Sequence, residues 1–157
     1  AAWRGRGGGR CVELLLQPVF PGGRRITKHD FWSVSQKRIP DILMMAEDER
    51  GRRFLVLDAK YRVSRSNVLD AMTSAHVYHD SLRLGDRRPD SSMLMVPAGG
   101  GAPWLEERDF QEEHHVGVHV LCPGTSAELP GPVVDLLGYG REASGSDDLS
   151  DHTGIYT

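Results

Sequence analysis

The sequence predicts an α/β (α+β) domain: a mixed central β-sheet of four to five strands flanked by helices. Three observations predict it. Short apolar runs bounded by Gly, Pro and charged residues recur along the chain. One of them, Phe54-Leu55-Val56-Leu57, is apolar on both faces, which suits a central strand covered on both sides. A single longer stretch, 68–84, spaces its apolar residues as a helix does.

The elements follow in order. Residues 1–10 are rich in Gly and Arg and read as a flexible segment, either a plain linker or hairpin loop or a small phosphate-binding arm. Residues 11–20 alternate as a strand, and Pro18 weakens its end. Pro21-Gly22-Gly23 is a turn, and the basic stretch 24–38, with Phe31 and Trp32 inside it, has no clean period. A hairpin follows: strand 39–46, a polar turn at 47–52 and strand 53–61. Ser66 or Asn67 caps the helix over 68–84, where Val68, Met72, Ala75 and Leu82 recur at helical spacing. A strand at 92–97, a short helix at 104–113, a strand at 116–122 and a last helix or strand at 133–139 complete the domain, 11–140. The Ser, Gly and Asp of 141–157 predict a loosely held tail.

Length and charge narrow the function. A chain of 157 residues is one domain with a sizeable core. Its net charge of −3 excludes a globally basic nucleic-acid glue, so any contact with a polyanion is local. Cys11 and Cys122 are too few for a disulfide framework or a four-cysteine zinc site. Of the His114, His115, His119 and Cys122 group, only His115 and His119 share a strand face, which argues against zinc. No apolar run spans a bilayer, and a cytoplasmic protein or a fragment of one is expected.

The chemistry concentrates at Ile39-Pro40-Asp41-Ile42-Leu43 and at Leu57-Asp58-Ala59-Lys60-Tyr61-Arg62. Asp58 and Lys60 lie two apart on a strand and project to one face. Counted from the turn, Asp41 lies about as far back as Asp58 lies forward, so antiparallel pairing brings the two acids to the same end of the sheet. Two carboxylates in a partly dry place repel unless a cation joins them, and a hard divalent ion suits oxygen donors.

These residues resemble the PD-(D/E)XK nuclease superfamily in the pattern Pro40-Asp41 … Asp58-Ala59-Lys60. The surrounding Arg38-Ile39-Pro40-Asp41-Ile42 and Leu57-Asp58-Ala59-Lys60-Tyr61-Arg62 are similar to its McrC-like branch, nuclease subunits of bacterial restriction and defence systems. The run Ala75-His76-Val77-Tyr78-His79-Asp80 resembles that branch's helix motif, with Ser74 and His79 departing from its Gln and Arg. The resemblance implies a restriction-endonuclease-like fold whose first helix lies upstream of Cys11. It implies an Mg²⁺- or Mn²⁺-dependent endonuclease acting on DNA within a larger polypeptide or beside an AAA+ motor GTPase or ATPase. Asp41, Asp58 and the Ala59 carbonyl would ligate the metal, and Lys60 would orient or polarise the attacking water. Tyr78, His76, Arg62 and Glu13 are candidate contacts to substrate, with Glu13 also a candidate additional acid. Tyr78 reads equally as core packing. Lys37, Arg38, Arg52, Arg53, Arg62 and Arg65 read either as a positive rim for phosphates or as a solvated surface. The rival function is a catalytically silent DNA-binding or assembly module on the same fold. A retained charged triad favours catalysis over it.

Overall fold

A computed structural model describes residues 2–7, 9–23, 30–61, 64–97, 101–122, 124 and 128–138. The expected tail and the expectation for Arg62 lie outside them. A six-stranded sheet dominates, in the order β1 (Ala2–Gly7), β2 (Arg10–Leu16), β4 (Ile42–Asp48), β5 (Gly51–Ala59), β7 (Ser91–Pro97), β8 (Val116–Leu121). A second sheet pairs β3 (Phe31–Ser33) with β6 (Leu82–Leu84). The sheet is mixed: β1, β2, β4 and β5 are antiparallel neighbours, whereas β5, β7 and β8 run parallel. Helix α1 (Arg65–Ser81) makes the crossover between β5 and β7.

The Gly/Arg-rich start is a correction. Ala2–Gly7 is not a flexible segment but an edge strand paired residue for residue with β2. Glycine makes the hairpin: Gly9 stands at φ +72°, where a β-carbon would be strained. Six main strands therefore replace the expected four to five. The basic stretch before Asp41 holds β3, and the last turn expected of the long helix is instead the strand β6. Ser64, rather than Ser66 or Asn67, caps α1: its hydroxyl accepts the Asn67 N–H at 3.4 Å. The expected short helix divides into a 3-10 turn (Pro103–Glu106) and α2 (Arg108–His114), and the last element is helical, α3 (Gly131–Leu137).

Each face of the sheet has its own core. Val68, Ala71, Met72 and Ala75 of α1 pack with Leu94, Val96, Val116 and Val118 of the strands. Beside them on the same face, Phe20, Phe31, Leu43, Phe54, Val56, Leu82 and Leu84 form a second cluster, which Tyr78 joins. On the opposite face Val133 and Leu136 of α3 cover Met44, Leu55, Leu57 and Met93. Burying both faces of β5 explains its run of four apolar residues. No helix among the described residues is long and apolar enough to cross a membrane.

Candidate active site

The β4–β5 hairpin sets the site. Its turn needs Gly51, at φ +95°, and Asp48 Oδ1 accepts the Arg50 N–H at 2.9 Å. From that turn the register runs without a bulge to Ile42 opposite Leu57. One further step sets Asp41 across from Asp58, on the face covered by α1. Asp41 Oδ2 accepts the backbone N–H of Ala59 at 3.0 Å, which ties the two strand ends together. On its other side β5 runs beside β7, and the Lys60 N–H donates to the Met95 carbonyl at 2.9 Å. Asp58 therefore sits at the carboxyl end of a central strand and is 2% exposed.

Lys60 turns back toward the same face. Its Nζ stands 2.8 Å from Asp58 Oδ2, an ion pair in which the lysine side chain keeps 29% exposure and the aspartate 3%. The approach is off the hydrogen-bonding direction, so this buried oxygen lacks a hydrogen bond of regular geometry. Burial pushes the Asp58 carboxyl above the usual carboxylate range; Lys60 opposes that shift and Asp41 adds to it. The Lys60 ammonium is itself depressed by burial, but Asp58, with Tyr78 and Asp41, more than offsets this and raises its pKa above the ordinary value. Lys60 is thus a cation at neutral pH and a poor general base.

Tyr78 follows Ala71 and Ala75 on the inward stripe of α1, and its phenol is half-buried against the triad. Burial first, then Asp58, raises its pKa, so the hydroxyl stays protonated. His76, two residues earlier, is exposed and points away from the sheet. Glu13 does not join the site. It faces the same side of the sheet, but it stands opposite Met45, four residues along the strands from the row of Asp41, and forms an ion pair with Arg4. That offset is roughly 13 Å at strand rise.

The basic rim also divides. Arg52 pairs with Asp30 and Arg53 with Asp48 and Asp90, at the opposite end of the hairpin. Arg65 lies over the Trp104 ring, 5.0 Å from its centre. The histidines sit elsewhere: the His79 and His115 rings stack at 5.6 Å, and His114 packs on Phe110.

Two carboxylates at facing strand ends, one of them buried and ion-paired with an ammonium, and a backbone amide: this donor set fits a hard divalent cation held by few protein oxygens and several waters. A family model for the PD-(D/E)XK nuclease superfamily matches residues 2–126. The chain belongs to that superfamily. Neither a curated protein nor a solved structure matches it. Within the superfamily's pattern, Asp41 follows Pro40, and Asp58 and Ala59 close β5 with Lys60 next in the chain. The match also takes in β1, which agrees with the strand at the start of the chain.

Proposed function

We propose that this chain is a metal-dependent endonuclease that hydrolyses DNA phosphodiester bonds. The observation that carries the reading is the meeting of Asp41, Asp58 and Lys60 at one tip of the β4–β5 hairpin, with the buried Asp58 oxygen short of a hydrogen bond. Asp41 and Asp58 would hold Mg²⁺ or Mn²⁺, with the Ala59 carbonyl as a third protein donor. When bound, such an ion supplies positive charge to the phosphate and acidifies water.

The chain's own groups do the rest. The ammonium of Lys60, held by Asp58, orients a water for attack and stabilises the negative charge that develops on the phosphate. As an ammonium, Lys60 would donate hydrogen bonds to the water rather than remove its proton. Asp41 is steadied by the Ala59 N–H, which keeps its carboxylate facing the site. Tyr78 walls the site from the α1 side and keeps water out.

The similarity of residues 38–42 and 57–62 to the McrC-like branch supports a place in a bacterial restriction or defence system. Within it, the domain would work in the cytoplasm beside or fused to an AAA+ motor.

The test is cleavage of plasmid and linear DNA in Mg²⁺ or Mn²⁺, beside Asp58→Ala and Lys60→Ala. Metal-dependent cleavage lost in both variants is expected. Equal cleavage by the variants would assign the activity to a contaminant. DNA binding without cleavage in every metal would identify a silent binding module.

A further inference from the structure

We infer that Arg38 binds a phosphate of the DNA backbone beside the bond that the Asp41–Asp58–Lys60 site cuts. This rests on the nuclease reading and adds a substrate-positioning residue to it.

Backbone geometry aims the side chain. Arg38 and Phe20 exchange both hydrogen bonds of an antiparallel pair, each 2.9 Å. Directly opposed residues in such a pair project to the same side. Phe20 is fully buried in the cluster that Tyr78 packs against. Arg38 therefore runs inward beside Phe20, toward the wall of the site, and three residues later the chain reaches Asp41. Asp58, Lys60, Asp41 and, least of the four, Arg38 all bear electrostatically on the Tyr78 hydroxyl.

Its partners are missing. The Arg38 Nε is out of contact with water and has no hydrogen-bond acceptor. No ion pair among the described residues includes Arg38, whereas the similarly half-buried Arg10 and Arg53 are each given a carboxylate by the fold. A guanidinium whose buried Nε the fold leaves without an acceptor, on the chain segment that leads into Asp41, is poised for an acceptor that arrives with the substrate. A phosphodiester fits: its non-bridging oxygens accept the planar fork of N–H donors that a guanidinium presents. Asp41 and Asp58 would be taken up by the metal, which leaves Arg38 to the phosphate.

The experiment measures DNA binding by fluorescence anisotropy as a function of salt, in the Asp58→Ala chain, which is expected to bind without cutting. Adding Arg38→Gln should weaken binding about ten- to hundred-fold, the span expected for a hydrogen bond to a charged group. It should also lower the log–log salt slope by about 1, the signature of one lost phosphate contact. Arg38→Lys should keep the slope while losing part of the affinity, because the charge remains and the fork does not. A mutation-free arm uses duplexes with single neutral methylphosphonates: one position next to the cut should reproduce the slope change with Arg38 intact. An unchanged slope in Arg38→Gln, or no sensitive position next to the cut, overturns the role of Arg38 and leaves the nuclease reading standing. An Asp58→Ala chain that binds no DNA at any salt, with a wild-type chain that never cuts, overturns both.

Discussion

The two ends of the β4–β5 hairpin carry similar residues in opposite states of compensation. At the turn end Asp48 meets Arg10 at 3.1 Å and Arg53 at 3.7 Å, and accepts the Arg50 N–H. That backbone hydrogen bond, outweighing burial and helped by the two arginines, holds its carboxyl below the ordinary range. At the open end two carboxylates share one ammonium, and burial holds Asp58 above it. About five residues of strand, roughly 17 Å, separate Arg53 from Asp58. The same hairpin thus satisfies its acid at one end and leaves it wanting at the other. A satisfied acid holds the fold; on the function proposed above, the acid left short of positive charge is where a cation would bind.

The sharpest way to break this comparison is to neutralise each end and measure cleavage. Asp58→Ala or Lys60→Ala should lower kcat by at least about 10²–10³-fold, the scale on which removal of one charge-stabilising group is felt. Asp48→Ala should leave kcat unchanged and lower the melting temperature instead. Loss of cleavage in the properly folded Asp48 variant would erase the distinction.

Metal sharpens it next. If the open end lacks positive charge, Mg²⁺ at a hundred times its Kd should stabilise the wild-type chain by about 2.7 kcal/mol. In a thermal melt that is roughly 5–10 °C. Asp58→Asn should abolish the shift and Asp48→Asn should not. A shift of the same size in Asp58→Asn would move the metal elsewhere.

Smaller is the effect of Asp58 on the metal-free fold. Its folded pKa lies above the unfolded value, so the native state binds this proton more tightly than the unfolded chain does. The stability it contributes is full below the ordinary carboxylate range and is lost as pH rises through the raised folded value. Without metal at pH 7, Asp58→Asn should therefore melt a few degrees above wild type. The gap should close as pH falls toward the carboxylate range, as followed by circular dichroism in chelator. A variant that melts below wild type at pH 7 would mean that the Lys60 pair outweighs burial.

Least of all should Arg52→Ala matter. Its pair with Asp30 is largely exposed, with side chains at 39% and 47%, and belongs to the turn end. A loss of about 0.5 kcal/mol or less is expected by denaturant titration, since solvent screens such pairs.

Much of the site was legible in the residues because strands count simply. Equal spacing of Asp41 and Asp58 from one polar turn, and the two-residue step from Asp58 to Lys60, follow from a period of two and an unbulged register. The doubly apolar run of β5 announced its central place for the same reason. Glu13 was not legible: its face was right, but its register against β4 depends on where β2 begins to pair, and that is a long-range choice. The split of the arginines was hidden too, since Arg52 and Arg53 are near Asp58 in sequence yet at the far end of an extended strand.

The same division holds for the fold. Local pattern alone determined the hairpin, the inward stripe of α1 and the alternation of strands with helix, because each rests on contacts within a few residues. The first strand was decided only by tertiary pairing. Ala2–Gly7 has little apolar content of its own, and its order comes from the hydrogen bonds that β2 offers it. The ionisation of the triad was likewise settled in three dimensions: the chain supplied the acids and the lysine, but only the cover of α1 on that face of β5 takes Asp58 out of water and leaves its charge to be balanced.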